Sequence, residues 1–391
     1  MSCQKPFLLS ASTGLIAAAF LVMASPAASQ VTTAVVEGIV SDETGAVLPG
    51  VSVTATNVEV GLSRTAITES VGRYRIPALP PGGYRVTAIL QGFATVTRDL
   101  TLTIGQDAVI NFSLKLSTVE ESITVAGEAP LVETTKSALG ETIRRKDIDE
   151  LPLSARNYTN LAVLVPGVNT EGGLSAAGQN FRNNSYLVDG VNREHVGLAS
   201  LRGELSADSI QEFQVITNQF SAEYGLATGA VLNVITRSGT NELKGRWSTF
   251  IRSNALDARN FFATGEAPFD QQQFGGFLGG PIVQNKTFYF GSYEANRVDQ
   301  TAVVTSPLAP GEFPQDTRQH KALAKLTHQL VSGNMLSLVY DLDRRLDHNN
   351  GVGGLTTIEQ AVDSLVKNQD LVGSWSWILS SHALNEMRFS A

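Results

Sequence analysis

The chain has 391 residues and a formal net charge of −8, with 35 glycines, one cysteine and only 17% charged residues. The length suits two or three domains, and an acidic balance without a basic stripe argues against a nucleic-acid partner. Sparse charge, abundant glycine and no long apolar run after residue 23 fit a β-rich chain with many turns better than a helical enzyme.

Lys5, the uncharged run 7–23 and the small residues Ala27-Ala-Ser-Gln have the three regions of a secretory signal. Residues 1–29 are read as that signal, with cleavage after Ser29 or Ala27, leaving a mature chain without cysteine. Cys3 precedes the apolar run, so it is not placed as a lipoprotein cysteine would be. A retained anchor is the alternative, but the run is marginal in length and diluted by Ser10, Ser12, Thr13 and Gly14.

Residues 34–116 alternate as an all-β module. Ile110, Phe112, Leu114 and Leu116 fall on one face and Asn111, Ser113 and Lys115 on the other, and Val51, Val53 and Ala55 repeat the pattern. Turn chemistry recurs at Asp42–Gly45, Pro49-Gly50, Val71-Gly72, Pro80–Gly83 and Gln91-Gly92, which predicts a sandwich of short strands. The segments EGIVSDETGAVLPGVSV and GRYRIPALPPGGYRVTAILQGF resemble the carboxypeptidase-regulatory-like, or transthyretin-like, fold. That resemblance implies a carbohydrate-binding-like sandwich in which Tyr74, Ile76, Tyr84 and Val86 pack between sheets. Its role is either a docking face for carbohydrate or protein, or a spacer.

Residues 117–127 form a linker: a polar approach, the β-prone run Glu121, Ser122, Ile123, Thr124, Val125, and the breaker Gly127. Extended residues with alternate apolar side chains, here Ile123 and Val125, can add as a strand to an exposed sheet edge.

Residues 128–242 read as a mixed α/β domain. The pattern predicts a short polar helix over 143–151 ended by Pro152, and a second over 155–164 capped by Ser154. Tyr158, Leu161 and Val165 share a face of the second, and Pro166-Gly167 stops it. A glycine-rich loop, Glu171, Gly172 and Gly173 through Gln179, follows. Then come an apolar strand at 185–188, a tight turn at Asp189-Gly190, a short helix capped by Ser206, and strands at 213–217 and 231–236. Between those last strands lie Glu223, Tyr224, Gly225 and Gly229, with both glycines read as allowing positive φ and close backbone approach.

The stretch SIQEFQVITNQFSAEYGLATGAVLNVITRSGTN resembles the plug domain of TonB-dependent outer-membrane receptors, and ELPLSARNYTNLAVLVPGV resembles the Oar-like subfamily of that plug. Oar-like receptors carry a carboxypeptidase-regulatory-like module ahead of the plug. The resemblance implies that residues 121–125 are a TonB box, offered to TonB and its inner-membrane energising complex. It implies a structural plug motif at Asp189, Gly190, Glu223, Tyr224, Gly225 and Gly229. Plug loops of such receptors face the external ligand, which makes Glu171–Gln179 the candidate ligand loop; siderophore, glycan and peptide ligands all fit.

From residue 243 the pattern is a succession of amphipathic strands, at 243–253, 274–280, 287–298, 321–330, 335–345, 369–379 and 384–391. Leu336, Leu338, Tyr340 and Leu342 alternate with Ser337, Val339, Asp341 and Asp343. Leu371, Trp375, Trp377 and Leu379 share one side, as a lipid-facing barrel strand requires. Connections alternate long and short, beginning with a long one, as in an outer-membrane barrel entered from the periplasm. RWSTFIRSNALDARNFF and QFGGFLGGPIVQNKTFYFGSYEANR resemble the opening barrel strands of Oar-like receptors. Plugged transporters close with about 22 strands, so the fold class expected is mainly β: a sandwich, an α+β plug, and the first strands of an incomplete antiparallel transmembrane barrel.

No reaction chemistry stands out. His195, His320, His328, His348 and His382 lack metal-ligand spacing, with only His328 assigned to a strand. Gly275–Gly280 lacks the lysine of a phosphate loop, and no Gly-x-Ser-x-Gly elbow occurs. Asp341, Asp343, Asp347 and Asn349 offer oxygen donors for calcium, or simply form a solvated acidic turn. Glu223 and Arg237 are candidates to pair with barrel-wall charges. The reading is the N-terminal part of a TonB-dependent receptor in the outer membrane, with plug and sandwich on the periplasmic side. It binds an external ligand and gates energised import, has no catalytic residue, metal or cofactor, and touches outer-membrane lipid. The alternative is a non-transporting periplasmic or surface binding or adhesion module.

Overall fold

A computed structural model describes residues 32–391 except 118–121, 126–137, 152, 154–155, 171–172, 196–199, 222–223, 226, 257–267, 332 and 381–382. The signal segment therefore lies outside the described residues, as do Glu121, Glu171, Gly172, Glu223 and His382.

The first domain is the expected sandwich. Its strands are β1 (Ala34–Asp42), β2 (Ser52–Asn57), β3 (Ser63–Ile67), β4 (Arg73–Leu79), β5 (Gly82–Ile89), β6 (Thr95–Leu102), β7 (Asp107–Val109), β8 (Phe112–Leu114) and β9 (Ser122–Val125). One sheet runs β4-β1-β7, with β8 also on β1, and the other runs β3-β2-β5-β6-β9. Period-two alternation puts Val51, Val53, Ala55, Ile76, Val86 and Phe112 between the sheets. The buried phenols of Tyr74 and Tyr84 donate to the Ile110 and Pro80 carbonyls at 2.7 and 2.9 Å, which removes the cost of burying a hydroxyl. Leu116 departs from the expected face. It is 80% exposed, because β8 stops at Leu114 and Leu116 lies beyond the sandwiched strand.

The middle domain holds β10 (Leu139–Arg144), helix α1 (Arg145–Glu150), β11 (Val168–Asn169), β12 (Ser175–Ala176), β13 (Ser185–Val188), β14 (Val191–Asn192), β15 (Ile210–Asn218) and β16 (Val231–Thr236). Its principal sheet has the order β10-β15-β16-β13-β14. All six residues of β16 are buried, as a central strand covered on both faces demands. Two helix expectations need correction. Ile143 belongs to β10, paired with Phe213, so the first helix starts only at Arg145. The second is a 3-10 turn over Tyr158–Leu164 whose cap is Asn157, accepting from the Thr159 amide at 3.0 Å; Ser154 lies outside the described residues. The apolar face assigned to it is nonetheless buried, with Tyr158 edge-on to Phe213 at 5.4 Å.

The third body is one seven-stranded antiparallel sheet in chain order: β17 (Lys244–Ser253), β18 (Phe269–Val283), β19 (Thr287–Val304), β20 (Gly311–Val331), β21 (Asn334–Asn350), β22 (Val362–Ser380) and β23 (Ala383–Ser390). The strands overrun the expected limits: β20 has 21 residues, more than the 9–11 that span a bilayer. Polar residues such as Gln315–Arg318 keep pairing beyond the apolar band, because a strand's ladder needs only a neighbour. That extension absorbs two histidines assigned to loops, since His320 and His348 stand in β20 and β21.

The wall inverts the usual distribution of a water-soluble fold. Charged Glu294, Lys321, Asp341 and Asp370 are buried on one side, whereas Trp247, Ile251, Leu278, Leu338 and Trp377 are exposed on the other. Phe290, Leu323, Val339 and Val372 of the wall join the core of the middle domain, so that domain sits against the charged side.

Candidate functional site

Between β14 and β15, Arg193, Arg202, Glu204 and Asp208 carry charges that meet the wall. Arg193 donates to both oxygens of Asp341 at 2.7 and 2.8 Å and reaches Asp370 at 2.9 Å. All three side chains are almost fully buried. Burial disfavours the Arg193 charge, but the two carboxylates outweigh it and hold the guanidinium above its usual pKa. Arg202 also pairs with Asp370, and the Glu204 amide donates to Asp343 at 3.0 Å. Lys321 of β20 bridges Glu204 and Glu294 at 3.0 and 3.5 Å, and the Ser206 hydroxyl donates to Glu294 at 3.0 Å. Burial raises the Glu204 carboxyl, and the Lys321 ammonium more than offsets it, leaving a net downward shift.

A second cluster surrounds Asp208, which is paired with Arg156 at 3.0 Å and with Arg246 of β17. Ser206 caps the short 3-10 turn here, as its sequence position foretold. Arg237 pairs differently from expectation. Its guanidinium stacks on the wall rings Phe277 and Phe290 at 3.8 and 5.3 Å instead of meeting a wall carboxylate. Burial, with help from neighbouring Arg145, pushes it down to about 10.

The aspartates proposed for calcium or an acidic turn sit elsewhere than expected. Asp341, Asp343 and Asp347 are buried on β21, where Arg193, Gln319 and Arg345 respectively hold them.

At the Asp189-Gly190 turn both residues have positive φ, 48° and 76°, closing the β13–β14 hairpin. Asp189 does more than turn the chain. Its carboxylate accepts from the Thr236 amide and hydroxyl at 3.0 and 2.5 Å, and Lys325 of the wall lies 3.5 Å away. Strand period gives no hint of this, since the partners are 47 residues away in sequence.

Gly229 is forced by close approach rather than by φ, since a Cβ there would lie 2.5 Å from Asn184 Oδ1. Neither Gly229 nor Gly225 has positive φ, contrary to expectation, and a Cβ at Gly225 would meet open space. Tyr224 packs with Leu187, Ile216 and Val231. In the glycine-rich loop, Gly173 has φ 120°, Ser175–Ala176 pairs with β11, and Gln179 accepts from the Asn183 amide group at 3.2 Å.

Residues 122–125 are not free. As β9 they pair in parallel with β6, Thr95↔Ser122 through Arg98↔Val125.

The sandwich is itself fastened to the other two bodies. Asn241 donates to the Glu59 carbonyl at 2.9 Å, Lys244 reaches the Glu59 carboxylate at 3.4 Å, and Arg388 donates to Thr32 at 2.9 Å. The Ile104 amide donates to the buried carboxylate of Glu212 on β15. Burial pushes Glu212 up to about 7 against the pull of that amide and of Arg144. Between the three bodies lies a cavity of about 430 Å³ with mixed charge, lined among others by Glu59, Asp189, Arg237, Lys325 and Arg388.

Comparisons with known proteins agree with this architecture. Residues 35–115 match the carboxypeptidase regulatory-like domain family and residues 235–314 match the outer membrane beta barrel domain family. The chain is 25% identical over 391 aligned positions to the TonB-dependent transporter Oar of Myxococcus xanthus, covering 89% of this chain and 37% of that protein. Among solved structures it is similar to the siderophore receptor PirA of Acinetobacter baumannii (TM-score 0.50, 19% identity, 64% of this chain and 39% of that one). It is likewise similar to the ferric enterobactin receptor PfeA of Pseudomonas aeruginosa (TM-score 0.50, 19% identity, 66% and 41%). The chain thus spans well under half the length of these relatives, which are transporters and receptors rather than enzymes. With a carboxypeptidase regulatory-like module and outer-membrane barrel strands in one chain, and similarity to Oar along most of its length, the chain is similar to the TonB-dependent outer-membrane receptors.

Proposed function

We propose that the chain forms the N-terminal part of a receptor that binds an external ligand and gates its energised import. The middle domain is the plug, β17–β23 open a barrel wall of about 22 strands, and Glu121–Val125 is the box engaged by TonB and its inner-membrane complex. The plug and the sandwich lie on the periplasmic side. The carrying observation is the inverted wall, apolar outward and charged inward, with the middle domain held on its charged side by buried ion pairs. Ion pairs suit a stopper that must leave and return, because water entering the seam can solvate the separated charges, whereas an apolar seam has no such relief. The likeness to a siderophore receptor and a ferric enterobactin receptor supports a small-molecule ligand; a glycan or peptide fits the same architecture. Gly173 to Gln179 belongs to the loop proposed to meet it.

The test is capture by the isolated C-terminal domain of a TonB protein. Proline at 123 removes a ladder donor, so Ile123→Pro is expected to abolish capture. Undiminished capture by that variant would remove the box assignment and favour a non-transporting binding module.

A further inference from the structure

The sheet that contains β6 ends on the very segment read as the box. With order β3-β2-β5-β6-β9, β6 without β9 would present a row of unpaired amides and carbonyls, an edge that folded proteins cover. The chain is delivered to this edge at close range. Ser117 donates to the Gly92 carbonyl at 3.1 Å, and Leu116 bridges to Phe93, just before β6 begins at Thr95. Only residues 118–121 separate that anchor from β9, and so short a tether gives the strand a high effective concentration at β6.

We propose that the β6 edge of the sandwich is a resting dock for the chain's own residues 122–125, and that the sandwich thereby masks the box until the strand is released. The proposal rests on the box assignment above and gives the sandwich a role beyond that of spacer. A strand donated to a partner's sheet uses its own backbone groups for affinity, and pairing with β6 already consumes one side of that ladder. Capture along the far side would leave the segment joined to a sandwich that Glu59, Thr32 and Ile104 fasten to the wall and the middle domain. Tension would then load those fastenings instead of β10, so a segment that is pulled must first leave β6. Apparent affinity scales with the released fraction, so a chain released about one-tenth of the time binds about tenfold more weakly than the free segment.

The register supplies the experiment. Thr97 and Thr124 are Cα partners, and a pair Thr97→Cys with Thr124→Cys, in a Cys3→Ser background, joins the two strands by a disulfide. Binding of a TonB C-terminal domain is measured on the full chain oxidised and reduced, and on a peptide of residues 117–127. The expected result is binding by the peptide, weaker binding by the reduced chain, and a further loss of about tenfold or more on oxidation, reversed by reductant. Equal or tighter binding by the oxidised chain, or failure of the two thiols to join under oxidant, overturns the mask while leaving the box. A peptide that does not bind overturns the box, and the mask with it.

Discussion

Arg193 of the middle domain and Asp341 of the wall form a bidentate ion pair in which both side chains are almost fully withdrawn from solvent, 148 residues apart in sequence. The pair fixes where one body sits on the other. It also makes the seam expensive to damage on one side only.

Removing the cation strands the buried Asp341 carboxylate and leaves Asp370 with Arg202 as its partner. Arg193→Ala is therefore expected to cost about 3–5 kcal/mol of docking stability. Arg193→Lys retains charge but loses the fork, and should fall between the two. Hydrogen exchange of β13–β16 amides reports the loss as faster opening of the middle domain with the wall left protected. Unchanged protection in Arg193→Ala would mean that the pair does not hold the seam.

Glu212 should make stability fall as pH rises. Its pKa of about 7 in the folded chain stands above the 4.5 of an ordinary glutamate, so the folded state keeps a proton that the unfolded chain gives up. The contribution is full below pH 4.5 and is lost as pH climbs to about 7, on the order of 3 kcal/mol in total. Glu212→Gln, which cannot ionise, should flatten that part of a denaturation-against-pH curve. Parallel curves for the two proteins would contradict this.

Asp189 joins β13, β16 and the wall through Thr236 and Lys325. Asp189→Ala is expected to cost about 1–3 kcal/mol, because the Thr236 amide and hydroxyl lose their acceptor. Asn at 189 tolerates the positive φ and keeps an acceptor, so it should recover part of that loss in a thermal-shift assay. Equal melting of wild type and Asp189→Ala would reduce the residue to a turn former.

Much of this fold was legible in the sequence for a physical reason: alternation survives wherever one face is buried. Val53, Tyr84, Val339 and Trp377 all fall on the side their period assigns. Turns needing positive φ announced themselves too, as at Gly190. Less visible was whatever depends on distant partners. Nothing local marks Asp189 as a pin, Asp341 as a buried counter-ion, or Glu212 as a carboxyl against the sandwich, since each is defined by a residue far away in the chain. Helix limits failed where tertiary pairing overrode local pattern, as at Ile143, drawn into β10 by Phe213. Strand ends failed because polar residues beyond the apolar band keep pairing when a long neighbour is present.

On the proposed function, one side of β17–β23 faces lipid while the other holds the middle domain. Trp247 and Trp377 project from the outer side, 69% and 39% exposed. The most direct measurement is fluorescence of each as the sole tryptophan, in the protein reconstituted into vesicles of acyl-chain-brominated lipid. Strong quenching by the brominated chains, with little quenching by aqueous iodide, is the predicted result. Quenching by iodide alone, in a chain that stays folded without lipid or detergent, would contradict it.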